Sequence, residues 1–143
     1  MNDLHDAIRT KTVIAPIAIG GNATKTGVVV DRQGYGGVEF IINYGAVTTT
    51  GSLVMVIVKD GDVTGTLTAV SDAYLLGTEV LASLLQGSRA VAGVGKEVTK
   101  RVGYKGNKRY VSADTVSTVS ASTGCVGITA LLHTPYNAPS ANP

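Results

Sequence analysis

Apolar and polar residues alternate most clearly at positions 38–44. Val38, Phe40, Ile42 and Tyr44 fall on one side, Glu39 and Asn43 on the other. A period of two with one wet face predicts a half-buried strand. Val28, Val29 and Val30 centre another strand over residues 25–31. Residues 53–58 are apolar on both faces and predict a central strand. Residues 67–70, 97–103, 108–116 and 125–133 complete the set. Glycine-containing turns separate them, at residues 20–22 and 33–37. A hairpin is expected at 59–62, where Asp60 and Gly61 suit positive φ, and another at Gly106 and Asn107, joining 97–103 to 108–116. Short strands with such regular turns predict an all-β fold, an antiparallel sandwich or a barrel.

Two stretches depart from that pattern. Residues 2–9 predict a short helix capped by Asn2 or Asp3, marginal unless it docks. In residues 71–85, Ser71 or Asp72 can cap a helical turn that Leu76 and Gly77 end. Val80, Leu81, Leu84 and Leu85 then recur at helical spacing. One or two short helices are therefore expected, followed by a glycine-rich loop at 87–96. Residues 12–19 are β-branched but hold Pro16, which suits an edge strand or an extended arm. Residues 135–143 hold three prolines and form an extended tail. The expected organisation is one domain over 1–143, with 1–22 as N-terminal arm and edge segment and 134–143 as C-terminal tail. Val13, Ile14, Ile17, Pro135 and Tyr136 would make inter-subunit contact, since such arms often order by adding a strand to a neighbour. Frayed termini are the alternative.

Composition agrees with this. Valine, glycine and threonine supply 55 of 143 positions, and tryptophan is absent. The chain has no run of about 18 apolar residues, the length a membrane-spanning helix needs, and its first ten residues lack the basic start and apolar core of a secretory signal. A single cysteine, Cys125, excludes an internal disulfide, and His5 and His133 are too far apart for a local metal motif. The net charge of +2 is uneven: residues 1–80 carry −3 and residues 81–143 carry +5. Such asymmetry bears on partners and solubility.

Half of the basic residues crowd into one stretch. Lys96, Lys100, Arg101, Lys105, Lys108 and Arg109 interleave with Tyr104 and Tyr110. A hairpin of this kind could dock on an acidic protein surface, bind nucleic acid, or simply keep a sheet edge soluble. The overall charge is low for a dedicated nucleic-acid binder. Other chemistry is thinner. Asp60, Asp62 and Asp72 do not make a calcium loop. Residues 93–96 depart from a phosphate loop at Ala90 and Glu97. Cys125 lies in an apolar strand pattern, where a free cysteine usually acts as a small buried hydrophobe, and His133 lacks a nucleophile context. No catalytic, metal or cofactor residue is expected, so the chain is not expected to be an enzyme.

Five pieces, in order over residues 24–139, carry a resemblance. They are Thr26 and Gly27 with Val30, Asp31, Gly34 and Tyr35, then 38–41; Asp72 and Ala73 with 75–77; 100–104; 106–111; and His133, Thr134 and Pro135 with Ala138 and Pro139. The run KRVGYKGNKRYV is the most specific of them. The chain resembles small proteins encoded among the head genes of tailed bacteriophages and prophages. The resemblance implies a capsid decoration (cement) protein with a jelly-roll-like β-sandwich. It would be made in the bacterial cytoplasm and placed on the capsid exterior of the virion. Its partners would be the major capsid protein and other copies of itself, a dimer being favoured; neither a membrane nor nucleic acid is an expected partner. A head-completion, connector or tail-ring component is the alternative. Family members often place polar residues where 53–58 is apolar, which points to a more buried strand or an oligomer contact here.

Overall fold

The alternating residues form the middle of β4, Tyr35–Tyr44, in a computed structural model that describes residues 3–47, 53–85, 97–118 and 124–137. Val38, Phe40 and Ile42 are fully buried and Tyr44 nearly so, while Asn43 faces solvent. β4 pairs with β10 (Cys125–Pro135) on one side and β8 (Val98–Tyr104) on the other. β1 (Ile8–Ala18) and β7 (Leu75–Leu76) close the edges, in the order β1-β10-β4-β8-β7. The second sheet runs β2-β9-β5-β6, from β2 (Thr24–Lys25), β9 (Tyr110–Thr118), β5 (Leu53–Val63) and β6 (Thr66–Ala69). β3 (Val30–Asp31) also pairs with β9. Every pairing is antiparallel.

Counting β2 and β3 as one interrupted strand, and β7 as an edge addition, leaves eight strands among the described residues. The first pairs with the last in one sheet, and the second with the next-to-last in the other. That order is a jelly roll, two antiparallel sheets face to face. The helices are single turns, α1 (Leu4–Ala7) and α2 (Glu79–Ala82), with a 3-10 turn at Asp72–Tyr74. Asp3 caps α1 by accepting from the His5 amide. The core lies between the sheets, where Val54, Val56 and Val58 of β5 face Val102, Val126, Ile128 and Ala130. Each of the valines and the isoleucine contributes about 1.5–3 kcal/mol on burial.

The N-terminal stretch takes the edge-strand alternative, but Val13 and Ile14, expected to contact a neighbouring subunit, are core residues, and Pro16 sits in a register irregularity between Ile14 and Ile17. Three further expectations change. Residues 25–31 do not run as one strand. Gly27 presses against β9 so closely that a Cβ there would lie 2.2 Å from the Ala113 carbonyl oxygen. Its N–H donates to Asp114 Oδ1 (2.9 Å) and its carbonyl accepts from Ser112 Oγ (3.0 Å). Val28 turns away to donate to the Val13 carbonyl at 2.8 Å, which ties the two sheets together. The hairpin expected at 59–62 falls later, at Thr64 and Gly65, because β5 continues through Val63 with a bulge after Asp60. Finally, β5 is central in its sheet, between β9 and β6, as expected, but it is buried on one face only; Leu53, Met55 and Ile57 are half-buried on the outer face.

Candidate functional site

The basic stretch is not a hairpin. β8 belongs to one sheet and β9 to the other, so residues 105–109 cross the end of the sandwich. One side chain explains the crossing. Tyr104 points into the core, and its hydroxyl donates to Asp60 Oδ2 of β5 at 2.6 Å and accepts from the Lys108 amide at 3.1 Å. Gly106 lies against the same ring, where a Cβ would come within 2.3 Å of the hydroxyl. Arg32 completes the corner: its guanidinium stacks over the Tyr104 ring at 5.4 Å and donates to the carbonyls of Lys108, Gly106 and Gly36. Burial, reinforced by the bond to Asp60, pushes the Tyr104 hydroxyl up to about 12, so it stays protonated as a donor.

The cations of this stretch spread over several sites. Lys100 Nζ donates to the Ser83 carbonyl at 2.6 Å. Arg101 is exposed on the outer sheet face, 3.7 Å from Glu39. Lys105 is exposed on the crossover, with its amide bound to the Tyr74 carbonyl. Lys108 pairs with Asp62. Arg109 grips Asp31 with two bonds (2.9 and 2.7 Å) and lies 5.0 Å from the half-buried Tyr110 ring. Lys96 lies outside the described residues. Much of the charge is therefore shared with carboxylates from earlier strands. Those partners lie 46 to 78 positions away in sequence, beyond the reach of any local pattern.

Of the residues expected to contact a neighbour, Ile17 is exposed and Tyr136 strongly so. Pro135 ends β10 opposite Tyr35, and the Tyr136 amide donates to the Gly34 carbonyl, so the start of the tail is held against β4. Cys125 is exposed, not buried as its apolar setting suggested; Val126 and Ile128 take the inward positions of that strand. His133 lies eight residues further along the same strand, roughly 26 Å away, so the two do not form a dyad.

One surface escaped the sequence pattern. Tyr74, Leu76, Val80, Leu81 and Leu85 are all exposed, Leu81 by 67%. Helical spacing made Val80 and Leu81 look like a buried face. The segment instead turns its polar groups inward, because β6 pairs only the second half of β5. The free edge over residues 54–58 then needs hydrogen-bond partners, and this segment supplies them. Leu84 exchanges both backbone bonds with Val54, Ser83 Oγ accepts from the Val56 amide (2.8 Å), and Glu79 Oε1 accepts from the Val58 amide (2.6 Å). Leu75, Ala82 and Leu84 go to the core, and the remaining apolar side chains are left outside.

Glu79 carries a testable consequence. Burial raises its carboxyl above the usual glutamate value, against the bond from Val58, with the charge of Asp72 adding to the rise. Its contribution to stability is therefore full at acid pH and is lost as pH rises through the raised value. Glu79→Gln retains an acceptor for Val58 and has no charge to bury. The variant should melt higher than wild type at neutral pH, with the gap closing below about pH 4. Thermal melts across pH check this; a variant less stable at pH 7 contradicts it.

The sequence matches no family model and no curated protein.

Proposed function

We propose that this chain is a structural virion protein: a decoration protein that binds the outer surface of a tailed-phage capsid and stabilises the shell without catalysis. Its partner is the major capsid protein, and it acts as a homo-oligomer, a dimer being favoured. The observation that carries this reading is the exposed apolar run of Tyr74, Leu76, Val80, Leu81 and Leu85 on a rigid sandwich. Exposed apolar side chains gathered in one segment suit a docking role, and the hydrogen bonds to β5 hold this segment in place. Lys105 and Arg101 add exposed positive charge. The motif residues support the reading too. Tyr104, Gly106 and Lys108 build the corner that joins the sheets, and Arg109 pairs with Asp31 beside it within the second sheet, so the resemblance falls on residues that build this fold.

The test mixes the purified protein with shells of a tailed phage whose head genes encode it, the shells prepared without it, and counts bound copies after sedimentation and imaging. Hundreds of copies on the exterior support decoration, and Leu81→Glu with Val80→Glu should then lower occupancy at least tenfold. Six or twelve copies at one vertex indicate a connector or tail ring. No binding at all rejects both.

A further inference from the structure

The seam between the sheets is tied at Val13 and Val28 and opens beyond them. β1 is the outer strand of one sheet and β3 an outer strand of the other. Past the Val28 to Val13 bond, a cleft of about 320 Å³ separates Arg9 and Lys11 from Asp31 and Gln33. Arg9 and Lys11 stand opposite Leu132 and Ala130 in the β-ladder, on the inward face of β1, yet both are exposed, because the second sheet does not reach over them. A second cleft of about 250 Å³ adjoins it across Gln33 and Tyr35, lined by Arg32, Arg109 and Tyr136. Four cations thus line two neighbouring clefts that share Gln33 and Tyr35, and among the described residues Asp31 is the carboxylate that lines them. Arg109, and more weakly Lys11, keep that carboxyl below its usual range.

We infer that this open seam binds an extended, acidic polypeptide segment. Its carboxylates would meet Arg9 and Lys11, with Arg32, which pairs with no carboxylate among the described residues, adding positive charge from the corner, and its backbone would lie along the outer edge of β1. Charge complementarity argues for the acidic character. The exposed strand edge argues for a polypeptide, since backbone N–H and C=O groups there can pair with an added strand. Asp31, standing between the two pairs of cations, disfavours a continuous phosphate backbone. This site is separate from the apolar run at 74–85, and its test does not depend on a capsid.

The probe is a fluorescein-labelled ten-residue peptide of alternating aspartate and valine, which places its carboxylates on one face when extended. Anisotropy titrations at low salt compare it with an asparagine-for-aspartate peptide and with a ten-nucleotide oligothymidylate. The protein is wild type or Arg9→Glu/Lys11→Glu, two exposed substitutions whose folding circular dichroism verifies. The acidic peptide should bind wild type at least tenfold more tightly than either the asparagine peptide or the oligonucleotide, and should lose at least tenfold in the double variant. Absent binding, equal affinity for both peptides, unchanged affinity in the double variant, or tighter binding of the oligonucleotide each overturns the inference.

Discussion

Lys59→Met should lose about 3–5 kcal/mol of stability, more than removal of its partner's charge. Lys59 pairs with Asp114, whose side chain is 2% exposed against 34% for the lysine. The asymmetry decides the outcome. Without Lys59, a buried carboxylate keeps, among the described residues, only the bond from the Gly27 amide. Without the carboxylate charge, in Asp114→Asn, the lysine stem can carry its ammonium toward water, and the amide oxygen still accepts from Gly27. The double variant Lys59→Met/Asp114→Asn should therefore regain most of what the single lysine variant loses. Urea unfolding of all three proteins measures the cycle. Equal losses in the two single variants would show that the pair contributes through geometry alone.

Tyr104→Ala is the second large loss, about 3–5 kcal/mol, since the ring is one of the largest fully buried side chains and its removal leaves a cavity. Tyr104→Phe isolates the hydroxyl. It leaves the Lys108 amide without its acceptor and Asp60 without its donor, for about 1–3 kcal/mol. pH separates this bond from packing. The hydroxyl titrates near 10 when unfolded and at about 12 when folded. Its contribution is complete below the first value and disappears as pH rises through the second. Wild type should lose stability across that alkaline window, and Tyr104→Phe should lose distinctly less. Parallel losses would place the alkaline sensitivity elsewhere.

What was legible in the chain follows the range of the forces involved. Residues 38–44 became a half-buried strand because alternation is a property of consecutive residues. The cap at Asp3, the turn around Gly20 and the departure from strand pattern after Ser71 were legible for the same reason. Apart from the hairpin that moved from 59–62 to Thr64 and Gly65, the readings that changed turn on contacts between distant residues. Gly106 and Asn107 look like a hairpin turn, yet the bond from Tyr104 to Asp60 carries the chain to the other sheet. Six crowded cations look like a patch until Asp31, Glu39 and Asp62 arrive from elsewhere in the fold.

The hydrophobic pattern by itself determined an all-β antiparallel protein with one or two short helices, because a period of two and frequent glycine turns leave few other ways to bury valine. Only the tertiary structure decided the jelly-roll order, the burial of Val13 and Ile14, and which apolar residues stay outside. Those outcomes depend on how unpaired backbone groups find partners. The free edge of β5 took Glu79, Ser83 and Leu84, and in doing so turned Val80 and Leu81 to the solvent.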